Sequence, residues 1–108
     1  MVILMSIQNK LGRYMSTNSN YKLSGRVDGT NADDYQLEIS NLVKIGNQSF
    51  TIDLSELVYI SSVGLRVFLK TAKDLKVQNR KLILSKPNSE ILGLLLMSGF
   101  DKIISIEN

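Results

Sequence analysis

Two adjacent hydroxyls, Ser61 and Ser62, stand between an apolar run and an amphipathic helical pattern in "YISSVGLRVFLK", Tyr59 to Lys70. Serines at a helix start have two uses. A hydroxyl there can accept a hydrogen bond from an orphan backbone N–H and cap the helix. A phosphate there would add about −1.5 to −2 charges where free N–H groups and the helix dipole favour an anion. The other groups capable of chemistry are carboxylates. Asp28, Asp33 and Asp34 crowd a loop and the helix start that follows it, a pattern that serves capping and dipole stabilisation, so no metal is expected. Asp28 and Asp53 are the only candidates for a carboxylate-based active site. With no histidine and no cysteine in the chain, disulfides, thiolate nucleophiles, the usual zinc clusters and every Ser-His or Cys-His arrangement are excluded. There is no Gly-rich phosphate loop with its lysine, so neither an ATP site nor another cofactor is expected. The residues point to a non-enzymatic protein.

These groups must be positioned by a small scaffold. A chain of 108 residues with 44% hydrophobic content builds one compact core, so residues 1–108 are expected to form a single domain. Thirteen basic against ten acidic residues leave a net charge of +3, which does not argue for direct nucleic-acid binding. The opening "MVILMSIQ" is too short for a bilayer span and lacks the basic start of a signal peptide. A cytoplasmic protein without membrane association is expected.

Val2–Ile7 has the branched apolar composition of a strand, and the Gly, Ser and Asn residues of Asn9–Asn20 suit a hairpin-like return into a second strand at Tyr21–Ser24. "SGRVDGTNADD" is a loop feeding a helix, with Thr30 and Asn31 as candidate caps. The helix then shows its apolar stripe at Ala32, Tyr35, Ile39 and Leu42 and stops at Gly46. Ser49–Leu54 reads as a buried strand, and "LVYI" as a shorter apolar segment leading to the serine pair.

From Val63 to Gln78 the helical period puts Val67, Phe68, Ala72 and Leu75 on a core face, with Gly64 and Leu65 near its edges. Arg66, Lys70, Lys73, Lys76 and Arg80 gather into a basic stripe about a third of the circle wide. Lys81–Ser85 is a further strand. Pro87, with Asn88 or Ser89 as cap and Glu90 in the first turn, opens a last helix; Gly99 suits the left-handed position after its end, and "KIISI" is a closing strand. This order predicts an α/β domain with a mixed sheet of four to five strands, largely parallel in its later part, and helices stacked on it.

"LSGRVDGTNA" before the first helix, "IDLSELVYISSVGL" leading into the second, and "KPNSEILGLLLMSGFDKIISI" at the end resemble STAS domains, specifically bacterial anti-sigma factor antagonists. The resemblance covers about residues 2 to 106. It implies that the serine in the acceptor position of the strand-to-helix turn, here Ser62, is phosphorylated by a partner that is both serine kinase and anti-sigma factor. The family's turn reads Asp-Ser-Ser-Gly-Leu; in this chain Ser61 stands at the aspartate position and Val63 at the second serine, which makes Ser61 an alternate acceptor. Asp28 matches the acidic loop residue that lies near the acceptor and takes part in docking.

The resemblance therefore implies a partner switch. Unphosphorylated, the protein would bind the anti-sigma factor and free a sigma factor; phosphorylation at Ser62 would break the complex and a serine phosphatase would restore it. The expected partner surface comprises Asp28, Thr30, Ser61, Ser62, Val63, Gly64, Arg66, Leu69 and Lys70. Within it, Gly64 is read first as a packing requirement, and the basic stripe first as a solvated face. Leu92 and Leu96 lie off the Ile91, Leu94, Leu95 stripe; burial is the expectation, and exposure would point to a partner or self-association surface. The alternative within the same fold is a STAS scaffold that docks constitutively to a larger regulatory or transporter assembly, its serines serving only as a cap.

Overall fold

A computed structural model of the chain describes residues 19–108. They form β1 (Ser19–Val27), α1 (Ala32–Ile45), β2 (Phe50–Ile60), α2 (Ser62–Val77), β3 (Leu82–Ser85), α3 (Ser89–Met97), a 3-10 turn (Phe100–Lys102) and β4 (Ser105–Glu107). The strand expected at Val2–Ile7 and most of the return through Asn9–Asn20 lie outside the described residues. The four strands are all parallel and lie in chain order, β1-β2-β3-β4. Because βαβ crossovers are right-handed, strands added in one direction put all three helices on the same face. Burial follows that rule. Leu23, Val27, Phe50, Ile52, Leu54, Leu82 and Leu84 are buried toward the helices, whereas Lys22, Ser24, Arg26 and Glu56 are exposed.

The second half of β2 departs from the sequence expectation. "LVYI" is not a separate segment: the strand is continuous, but its buried residues change spacing, from Phe50, Ile52 and Leu54 to Leu57 and Ile60. Two register shifts against β1 explain it, since Lys22 to Ser24 spans Asp53 to Glu56, and Gly25 to Arg26 spans Leu57 to Tyr59. Each shift inserts one extra residue into β2, and a bulge of this kind re-aims the side chains that follow. The Asp53 carboxylate accepts from the Ser55 N–H at 2.8 Å and so holds the first bulge. Near the second, the Leu57 carbonyl accepts from Asn88 Nδ2 at 3.1 Å, which ties the start of α3 to the strand.

In α2 the buried residues are Gly64, Val67, Phe68, Thr71 and Leu75. Thr71 is the addition to the expected face; its hydroxyl accepts from Gln36 Nε2 of α1 at 3.4 Å. Arg80 corrects the basic stripe. The helix ends at Val77, and Arg80, only 9% exposed, turns inward to donate from Nη1 to the Val43 carbonyl and from Nε to the Gln48 carbonyl, both at 2.8 Å. The guanidinium thus bonds one carbonyl in the last turn of α1 and one in the loop that follows it. Gly99 is left-handed as expected, φ +75°, but "KIISI" is a strand only at its end: Lys102 belongs to the 3-10 turn and β4 begins at Ser105.

Candidate functional site

The end of β1, the end of β2 and the first turn of α2 converge. Asn31, at the start of α1, makes no side-chain cap bond to the helix. Its amide reaches back instead: Oδ1 accepts from the Asp28 N–H at 3.0 Å and Nδ2 donates to the Arg26 carbonyl at 2.9 Å. The loop that results is closed on its other side by Asp28 Oδ1, which accepts from the Thr30 N–H at 3.0 Å and its hydroxyl at 2.6 Å. These two bonds, with a smaller contribution from Arg26, hold the Asp28 carboxyl below the usual carboxylate range. Arg26 Nε lies 3.9 Å from Asp28 Oδ2, and its guanidinium carbon sits 4.2 Å above the centre of the Tyr59 ring. Arg26 and Tyr59 belong to this surface although sequence reasoning passed over them. The signal that could have found them is a cation and an aromatic, both half-exposed, at the ends of neighbouring strands.

The serine pair divides its work. The Ser61 N–H donates to the Val27 carbonyl at 2.9 Å, which brings the serine-bearing turn against the Asp28 loop. The Ser61 hydroxyl accepts from the Gly64 N–H at 3.2 Å, so Ser61 is the N-cap of α2. Ser62 is the first helical residue and is exposed, leaving its hydroxyl available to a partner. No acidic residue lies in the first turn of α2. The helix N-terminus and, one turn on, Arg66 would favour an anion on Ser62.

Gly64 is buried, and the reason is close approach. A Cβ at this position would lie 2.6 Å from Ile60 Cγ1 and 3.0 Å from both Val27 Cγ1 and the Val27 carbonyl oxygen. The glycine seats α2 on the ends of β1 and β2; partner contact is left to its neighbours. Val63, 39% exposed, shares with Arg66 and Lys70 a groove of about 380 Å³ whose other wall is Ala32, Asp33 and Gln36 of α1. The Lys70 ammonium is 3.1 Å from the Asp74 carboxylate on the same helix. Leu69 does not join this group. It packs against the core and lines a different groove on the opposite flank of α2.

Asp53 and Asp28 are not brought together. Asp53 is in register with Lys22 and Asp28 follows Val27, which pairs with Ile60, a separation on the order of 20 Å at about 3.3 Å per strand residue. Two carboxylates so far apart cannot share a reacting group. Among the described residues no cluster of three or more potential metal ligands occurs, and no helix is long and apolar enough to cross a membrane.

The serine-bearing turn, the loop beside it and the parallel sheet behind them match the family model of the STAS domain, which covers residues 16–108. The chain belongs to the STAS domain family. Over 86 residues, 80% of this chain and 74% of its relative, it is 35% identical to BtrV of Bordetella bronchiseptica, which bears the name anti-sigma factor antagonist. Among solved structures, this STAS domain superimposes on a Thermotoga maritima protein described as an anti-sigma factor antagonist with a TM-score of 0.81. That match has 18% identity and covers 89% of this chain and 83% of the other. The unphosphorylated form of the anti-sigma factor antagonist SpoIIAA gives a TM-score of 0.69 at 14% identity, covering 89% and 84%. At such identities the structural likeness concerns the fold.

Proposed function

We propose that this STAS domain is a non-enzymatic anti-sigma factor antagonist controlled by phosphorylation of Ser62. Unphosphorylated, it binds an anti-sigma factor of the serine-kinase type, and the sigma factor is released. A phosphate on Ser62 ends the complex, and a serine phosphatase regenerates the binding form. The observation that carries this reading is the division of labour in the serine pair: Ser61 is committed to the cap, while Ser62 is exposed on the first turn. The likeness to BtrV at 35% identity supports the class of partner.

The charge of a phosphate at the helix start is compatible with the fold, because the orphan N–H groups and Arg66 face it. A partner packed against Asp28, Thr30, Val63, Arg66 and Lys70 would instead face repulsion and desolvation of a few kcal/mol, a loss of two or more decades in affinity. The result is a binding switch with little conformational change.

The test is affinity capture from the native cell with wild-type, Ser62→Ala and Ser62→Asp baits, and quantification of partners by mass spectrometry. Retention of a kinase-type anti-sigma factor by Ser62→Ala and its loss with Ser62→Asp is the expected result. Equal recovery by all three baits would overturn the switch and leave the serines as a cap on a constitutive docking module. Phosphopeptide mapping of the wild-type bait should find the phosphate on Ser62; phosphate on Ser61 would mean that the cap opens for the kinase.

A further inference from the structure

A second groove, about twice the volume of the one beside Val63, lies away from the serines. It measures about 770 Å³, opens to solvent between α2, α3 and β4, and takes its apolar lining from Leu69, Ala72, Leu92, Leu96, Ile103 and Ile106. Burial was the expectation for Leu92 and Leu96; the structure corrects it. Ile91 and Leu95 take the core side of α3, Leu92 is half-buried in the groove, and Leu96 is 49% exposed. Leu94 is not part of the core stripe either. On the opposite lip Ile103, just before β4, is 62% exposed.

The rim is cationic. Lys73, Lys76, Lys81 and Lys102 all line the groove, against one acidic side chain, Asp101. Among the described residues the ion pairs involve Lys22, Arg26 and Lys70 and none of these four lysines. Lysines concentrated around exposed leucine and isoleucine side chains complement a surface that is apolar along its centre and acidic along its edges.

We propose that this groove docks an acidic amphipathic helix of a protein partner. Helices bind in grooves of this kind through apolar side chains at i, i+3, i+4 and i+7, the charged flanks fixing orientation. Leu92 and Leu96, one helical turn apart, form one wall and Leu69 and Ala72 the other, so the incoming apolar stripe is held between two helices. A small acyl ligand fits less well, because sites for such ligands enclose most of the molecule and this one is open along a side.

The groove is separate from the Ser62 surface. Lys73 and Lys76 lie about 16 and 21 Å along the α2 axis from Ser62, and Leu69, Lys73 and Lys76 face a direction turned about 120° from Val63 and Val67. The domain thus carries a second docking surface that a phosphate on Ser62 would leave unchanged.

The probes are two synthetic helical peptides with leucines at i, i+4 and i+7, one flanked by glutamates and the other by lysines. Their binding to the full chain is measured by fluorescence anisotropy and mapped by amide shifts in NMR. The glutamate peptide should bind at least tenfold more tightly than the lysine peptide and weaken steeply with salt. It should shift the amides of Leu92, Leu96, Ile103 and Ile106. Lys73→Glu with Lys102→Glu should reduce its affinity about tenfold or more with an unchanged melting temperature, since both side chains are exposed. Ser62→Asp should leave it unchanged, which keeps this result independent of the phosphorylation reading. Equal binding of the two peptides, or shifts centred on Val63 and Arg66, would overturn the proposal. So would occupancy of the groove by sodium dodecanoate but not by peptide, or a concentration-dependent dimer that buries Leu96, either of which would name a different occupant.

Discussion

The two ends of α2 present surfaces of different kinds. At its start almost every group is committed by backbone geometry: the Ser61 hydroxyl to the Gly64 N–H, the Ser61 N–H to Val27, and the space at Gly64 to Ile60 and Val27. One hydroxyl, that of Ser62, is left over. Along the other flank the groups are uncommitted, with lysines that make no ion pair among the described residues and leucines half in water. The first surface depends on single atoms and is sensitive to one methyl group, whereas the second depends on summed area and charge and tolerates change one residue at a time.

The largest effect should come from the residue left over. Ser62→Asp is expected to weaken the anti-sigma factor complex about a hundredfold or more, measured by calorimetry, while the melting temperature stays within a degree or two. A melting temperature that falls along with the affinity would mean that Ser62 belongs to the committed set. Gly64→Ala should come next, destabilising the domain by about 1 to 3 kcal/mol, because the new methyl meets a packed side chain and a carbonyl. At about 4 to 8 °C per kcal/mol for a domain of this size, thermal denaturation reads it directly. A neutral result would show that α2 can lift from the strands.

Ser61→Ala should lose about 1 kcal/mol by denaturant unfolding, the usual worth of an N-cap. Ser61→Asp should recover it, since aspartate caps as well as serine and its charge suits the helix start. Failure of aspartate to rescue would separate the hydroxyl's role from capping. A smaller effect is expected from the first β2 bulge. The Ser55 backbone N–H, followed by its hydroxyl and by Lys22 and Lys86, holds the Asp53 carboxyl below its ordinary value. A carboxyl lowered by folding contributes stability above its unfolded value, about 3.9, and loses it as the pH falls through the folded value. Asp53→Asn should therefore be less stable than wild type at pH 6 and converge with it only as the pH falls through the folded value of the carboxyl. The smallest change belongs to the far flank: Lys73→Glu alone should alter stability by no more than about 0.5 kcal/mol.

Local periodicity was readable in the sequence, and the outcome of packing was not. The core face of α2 was legible because Val67, Phe68 and Leu75 recur at helical spacing and bury as a unit. The start of α2 was legible too, since a serine pair before a glycine and a helical stripe is a local pattern. Reading Arg80 as part of the stripe extended a helical wheel past Val77, and only the carbonyls of Val43 and Gln48 show why a guanidinium turns inward there. The tail of β2 was read as a separate segment because two bulges convert its alternation into a spacing of three. The groove beside Leu96 depends on where β4 and the turn before it come to rest, and no spacing within α3 encodes that.

The sheet also tapers. Eight residue pairs join β1 to β2, four join β2 to β3 and three join β3 to β4. Fewer pairs mean fewer backbone bonds to break at once, so the β4 edge should detach at a lower free energy than the rest, and its amides should exchange with solvent first. The edge that opens most readily is also a wall of the basic groove, and anything seated there would slow that exchange while leaving the Ser62 end of the sheet as it was.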